Sequence, residues 1–123
     1  MPELSLQGML ALPFRPLMWS LGIDWAEAGT AAELMATKTI LNEFVAYLRL
    51  AALPAEALSA HARLVMTYAL CGFANLGSVG ILTAGLSALM PERRGEIVPL
   101  ALKALVSGTL ASGLSACMIG LLT

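Results

Sequence analysis

Between Leu64 and Pro91 the chain carries no charged residue, and the middle of this run reads Cys71-Gly72-Phe73-Ala74-Asn75-Leu76-Gly77-Ser78. A helix needs roughly 20 apolar residues to cross a bilayer, so the run is long enough. Two glycines and an amide at mid-depth do nothing for such a helix. Non-helical backbone survives at that depth only where protein or a water-filled cavity satisfies its N–H and C=O groups. The segment 60–90 therefore predicts a transmembrane helix broken at a binding site, as in secondary transporters.

Composition points the same way. Charged residues make up 12% of the chain and hydrophobic residues 59%, against about 25% charged in soluble domains. The net charge of −1 argues against a nucleic-acid partner held by counterion release. Cys71 and Cys117 both lie in apolar segments and read as buried free thiols. With one histidine and no Cys-x-x-Cys, metal-ligand spacing is absent, and no metal or cofactor is expected. No phosphate loop, zinc motif or nucleophile constellation appears, so an enzyme is not expected. Glu3 is the only charge before Arg15, unlike a signal peptide's basic n-region, so insertion is assigned to internal segments.

Residues 4–21 are apolar but interrupted by Pro13, Arg15 and Pro16. Ser5 can cap the start, and the prolines are expected to bend or end this helix. It reads as an interfacial helix with Trp19 and Trp25 at headgroup level; a poorly hydrophobic spanning helix is the alternative. Asp24 and Glu27 resemble a helix start. That helix is expected to run through Thr37, with a polar tip Lys38-Thr39-Ile40-Leu41-Asn42-Glu43 and a second arm, Phe44 to Leu53. Arms of about a dozen residues are too short to span about 30 Å, so 24–53 reads as a re-entrant hairpin. Ser59 can cap the broken helix. His61 falls at a segment end and reads as a solvated interfacial side chain. After the charged turn Pro91–Glu96, a continuous spanning helix covers 97–122. Its Ala104, Gly108, Ser112, Ala116 and Gly120 form a small-residue stripe suited to close helix packing.

Three positions stand out as candidates for chemistry. Glu43, an ionisable residue at membrane depth, faces either a cavity or a partner; the alternative is a salt bridge to Lys38 across the tip. Asn75 and Ser78, three apart after the glycine break, offer donors and acceptors suited to hydroxyl-rich neutral ligands beside a helix start. Phe73 adds an apolar wall. Their alternative is interhelical hydrogen bonding.

At these residues the sequence becomes familiar. Thr37-Lys38-Thr39-Ile40-Leu41-Asn42-Glu43-Phe44-Val45-Ala46-Tyr47 and Ala69-Leu70-Cys71-Gly72-Phe73-Ala74-Asn75 resemble signature stretches of the concentrative nucleoside transporters. Pro91-Glu92-Arg93-Arg94 and Ser115-Ala116-Cys117-Met118 resemble later stretches of the same family. The resemblance implies that Glu43 bonds ribose hydroxyls, that Asn75 and Ser78 contact the same sugar, and that Phe73 lines the pocket. Lys38 and Asn42 are candidate supporting residues. Gly77 departs from the serine common at that position.

The likeness is to the C-terminal half of an inverted-repeat transporter. The upstream half of the family supplies base recognition and, in sodium-coupled members, the cation site, and it has no counterpart in this sequence. The expectation is therefore an all-α integral membrane chain of the bacterial inner (plasma) membrane. It would be the ribose-binding half of a sodium- or proton-coupled symporter, not transport-competent without its N-terminal half. The resemblance implies a homotrimer. The alternatives are a truncated, non-transporting helix-packing module and a soluble helical domain with an apolar core.

Overall fold

The computed structural model describes residues 5–123 and is all-helical; Leu4, where the first helix was expected to begin, lies outside the described residues. Six α-helices run in order: α1 Leu6–Ser20, α2 Trp25–Ile40, α3 Glu43–Ala52, α4 Ala60–Ala69, α5 Leu76–Leu89 and α6 Arg94–Leu122. Single 3-10 turns, Ala55–Ala57 and Pro91–Arg93, precede α4 and α6.

Helices α1 and α2 share the most extensive interface, and the sequence shows why. On α2, Ala28, Ala31, Ala32 and Met35 are buried at i, i+3, i+4 and i+7, one face of a helix. Their small side chains admit Met18 and Ala11 of α1, with Leu10, Phe14 and Leu17 packed alongside. The same spacing recurs on α4 as Ala62, Val65, Met66 and Ala69. Leu58, Ile23 and Leu70 close this core.

The prolines do not end α1. The helix runs through Pro13 and Pro16, both on its exposed side. The lost N–H bonds fall away from α2, and packing of the opposite face carries the helix through. Ser5 Oγ accepts from the Gly8 amide at 3.1 Å. Between α1 and the start of α2, the Arg15 guanidinium lies 4.5 Å from the centre of the Trp25 ring, and Trp19 meets Trp25 edge-on at 6.5 Å.

Side chains stitch the segment ends. Asp24 holds the cap position of α2 but makes no side-chain cap bond. Glu27 instead accepts from the Ser59 amide at 2.7 Å and the Ser59 hydroxyl at 2.9 Å, while Ser59 Oγ accepts from the Ala62 amide. Arg63 donates to the carbonyls of Leu50, Leu53 and Pro54, gathering the C-terminal end of α3. His61 is not simply solvated. Its Nε2 lies 3.3 Å from the Gly22 carbonyl oxygen and its Nδ1 3.3 Å from Thr123 Oγ1, so the ring bridges the α1–α2 turn and the end of α6.

Helix α6 begins at Arg94, three residues before the expected start, because the turn Pro91–Arg93 and the Arg93–Glu96 ion pair (2.7 Å) lead straight into it. Its small-residue stripe is a packing face. A methyl group on Gly108 would stand 3.1 Å from Ala74 Cβ, and one on Gly120 would stand 2.8 Å from the Leu21 carbonyl oxygen. Ala116 is fully buried. By contrast, α5 has no buried residue. The turn Pro91–Arg93 and α6 together form one continuous helical stretch, Pro91–Leu122, long and apolar enough to cross a membrane.

Candidate functional site

Helix α2 continues to Ile40, three residues beyond the expected end. Thr37 and Thr39 turn their hydroxyls back to the Glu33 and Met35 carbonyls, each at 2.9 Å. They satisfy themselves within the helix and so fit a buried face. Lys38 consequently stands in the last turn of α2, fully buried, rather than on an open tip. Only Leu41 and Asn42 form the turn. Asn42 is extended (φ −167°, ψ 171°), and its side chain accepts from the Val45 amide at 2.9 Å, capping α3 in the manner Asn favours. Glu43 is the first residue of α3.

The expected alternative for Glu43, an ion pair with Lys38, is not formed. Among the described residues the one ion pair within 4.0 Å is Arg93–Glu96. Glu43 Oε2 and Lys38 Nζ are each buried without a hydrogen-bond partner.

The second half of the site is the interruption between α4 and α5. The Cys71 amide closes the end of α4 on the Tyr68 carbonyl at 3.2 Å, and the chain then leaves helical geometry until Asn75. Gly72 lies at a close approach: a methyl group there would stand 3.2 Å from Ser112 Oγ and 3.5 Å from Lys38 Nζ. Asn75, extended and 4% exposed, caps α5 by accepting from the Ser78 amide at 2.8 Å. Its Nδ2 donates to the Phe73 carbonyl at 3.1 Å. One acceptor and one donor site are thereby used locally, leaving one lone pair and one N–H. Ser78 and Phe73 are exposed, Phe73 by 76%. Cys71 is exposed as well, and both thiols are free. The expected burial of Cys71 fails because it faces an open groove at the break.

Phe73, Asn75 and Ser78 come together. They line a cavity of about 230 Å³ with Val79, Ala101 and Leu105. Glu43 does not line it. A wider groove of about 400 Å³ lies on the other side of Phe73, bordered by Tyr68, Cys71, Gly72 and Ser112. The tip and the break nonetheless meet, since a Cβ on Gly77 would lie 3.9 Å from the Leu41 carbonyl oxygen. Two Asn-capped helix starts, α3 and α5, therefore adjoin, and the N-terminus of a helix favours electron-rich groups. Reading the sequence missed the contacts that hold this arrangement. Tyr47 donates to the Thr67 carbonyl at 2.6 Å and Arg49 to Thr37 Oγ1 at 2.9 Å. Tyr47 ends the stretch Thr37–Tyr47, but nothing in its spacing named its partner. Among the described residues no cluster of His, Cys, Asp or Glu could hold a metal.

The family model described as "Na+ dependent nucleoside transporter C-terminus" matches residues 1–120. The chain is 45% identical to the nucleoside permease NupC of Helicobacter pylori, over 98% of its own length and 30% of the permease. It is 39% identical to solute carrier family 28 member 3 of Mus musculus, over 99% of its length and 19% of that protein. Its fold is similar to that of CNTnw in an inward-facing substrate-bound state, with a TM-score of 0.84 and 42% identity, covering 97% of this chain and 30% of that one. The chain thus spans less than a third of the length of these relatives.

Proposed function

The chain belongs to the Na+-dependent nucleoside transporter family, and on that premise we propose that it is the ribose-binding half of a cation-coupled nucleoside symporter. In this reading α1 lies along the membrane interface and α2–α3 form a re-entrant hairpin. Helices α4 and α5 are the two halves of one broken spanning helix, and α6 crosses the bilayer. The observation that carries the reading is the meeting of two capped helix starts, one bearing Glu43 and the other Asn75 and Ser78.

Glu43, in the first turn of α3, accepts hydrogen bonds from ribose hydroxyls. The free N–H and lone pair of Asn75, with the Ser78 hydroxyl, serve the same sugar, and Phe73 covers its apolar face. A neutral, hydroxyl-rich ligand suits this set, because each hydroxyl can donate to the carboxylate while accepting from the amide. Lys38 and Asn42 support the site from behind, Asn42 by capping α3. Base recognition and the sodium or proton site are assigned to the remainder of a full-length transporter, which assembles as a homotrimer in the bacterial inner membrane. No catalytic step and no metal or cofactor is proposed for this chain. The helix-packing module is the less favoured reading, given a family match along nearly the whole chain.

The test is equilibrium binding of radiolabelled uridine and adenosine to the membrane-inserted chain, with the N-terminal region of the Helicobacter permease supplied in trans. Saturable binding that weakens at least about tenfold in Glu43→Gln, the loss expected for one charge-assisted hydrogen bond, supports the proposal. No saturable binding, or identical binding by Glu43→Gln, overturns it.

A further inference from the structure

At the hairpin end two groups of opposite charge, the Lys38 ammonium and one oxygen of Glu43, are buried and bonded to nothing. Lys38 is fully buried, and its Nζ has no hydrogen-bond partner. Glu43 is only half-buried, yet its Oε2 is likewise buried and unpartnered. A buried ammonium beside apolar groups alone is strongly unfavourable, and a nearby charge of opposite sign offsets that cost. Across the two-residue turn from Lys38 stands Glu43, five residues on, an acid of opposite charge. Each also stands at the helix end its sign favours, the cation in the last turn of α2 and the anion in the first turn of α3.

The two do not close into an ion pair. Lys38 Nζ is held instead toward the α4–α5 break, next to the space above Gly72 that Ser112 of α6 also borders. The ammonium therefore lies where the hairpin, the break and α6 meet. We infer that Lys38 is the positioning residue of the site: a fixed counter-charge that turns one oxygen of Glu43 inward, keeps the other for the ligand, and registers the hairpin tip against the helix break. This deepens the ribose-binding reading and rests on it for the ligand, whereas the charge coupling itself does not.

Lysine rather than methionine at this position has two consequences. Removing either charge alone leaves the other's buried atom uncompensated, whereas removing both leaves apolar or neutral groups that pack without that penalty. Arginine preserves the charge and so retains much of the effect, though its planar fork is a poorer fit to a point-charge site.

The experiment is a double-mutant cycle on the full chain in detergent micelles, with Lys38→Met, Glu43→Gln and the double variant, plus Lys38→Arg. Thermal midpoints are expected to fall for each single variant and to recover in the double. Additive losses overturn the inference. Should Lys38→Met fail to fold, a folded double variant supports the coupling and an unfolded one overturns it. The second readout is the preference for uridine over 2′,3′-dideoxyuridine, with the N-terminal region of the Helicobacter permease again supplied in trans. It is expected to shrink about tenfold in Lys38→Met and to return in Lys38→Arg, the scale of one charge-assisted hydrogen bond. An unchanged preference in Lys38→Met, where the parent chain binds uridine, overturns the positioning role. Coupled midpoints in a chain that binds no nucleoside support the Lys38–Glu43 coupling and place the failure on the ribose-binding reading.

Discussion

Replacing Asn75 by alanine removes two bonds at once: the cap that accepts from the Ser78 amide at 2.8 Å and the donation to the Phe73 carbonyl at 3.1 Å. An Asn cap contributes about 1 kcal/mol. A neutral hydrogen bond adds about 1 kcal/mol, and less is recovered from water where the side chain is buried. At 4% exposure Asn75 belongs to the buried case, so about 2 kcal/mol of local stability at the start of α5 is at stake, roughly a 30-fold increase in opening. Hydrogen exchange of the chain in micelles reads this directly. In Asn75→Ala the Ser78 amide, and the first turn of α5 with it, exchanges roughly 30-fold faster while α1 and α2 keep their protection. Asn75→Asp retains the acceptor but sets a buried carboxylate oxygen against the Phe73 carbonyl, so it does not restore the protection. Asn42→Ala is the matched control, and it releases the Val45 amide of α3 and leaves Ser78 protected. An unchanged Ser78 amide in Asn75→Ala refutes the capping argument. So does acceleration spread equally over all six helices, since that is the signature of global unfolding.

Gly120→Ala forces a methyl group to within 2.8 Å of the Leu21 carbonyl oxygen and lowers stability by about 1–3 kcal/mol; Gly85→Ala, with open space around it, is neutral or raises stability by up to about 1 kcal/mol, and thermal melts of the two variants check the contrast. Arg63→Lys cannot hold the three carbonyls of Leu50, Leu53 and Pro54 together. Limited proteolysis is expected to cut the Leu53–Ser59 connection faster in that variant than in the parent chain. Glu27→Gln weakens the two bonds to Ser59 by about 1 kcal/mol, read as faster exchange of the first turn of α4 with α2 unaffected.

How much was legible depended on whether the controlling physics was local. The interruption near Gly72 and Asn75 could be read because glycine and a buried amide disagree with a continuous apolar helix wherever it packs. Ser5 and Ser59 could be read as caps for the same reason. The end of α2 could not. Lys38 and Thr39 look like a polar tip, yet both threonines bond back into the helix and Lys38 is buried by α4–α5 and α6, partners remote in sequence. Pro13 and Pro16 misled in the same way, since their tolerance comes from packing on the far side of α1. Asn75 was legible as a polar group at a break, while its engagement as a cap depends on its backbone being extended there.

The burial pattern explains why the candidate site lies where it does. Helices α1 to α4 bury one another's small residues, with Ala116 of α6 completing the core. Helix α5 buries none of its residues, and α6 few beyond its small-residue face. Leu82, Ile81, Val106, Leu110 and Leu114 are each more than half exposed. In water such a surface would drive association, but hydrocarbon is as apolar as these side chains and leaves them without a penalty. The chain is thus a body packed by α1 to α4 with one face of α6 against it, and α5 leaves that body at the stretch from Cys71 to Asn75. There the non-helical backbone meets the polar Asn75 and the α3 start, and Phe73 and Ser78 remain open. A substitution that lets α4 run on into α5, such as Gly72→Ala with Asn75→Leu, should therefore remove nucleoside binding while increasing the helical content measured by circular dichroism. Retained binding in a chain with the break repaired would contradict the assignment of the site to this junction.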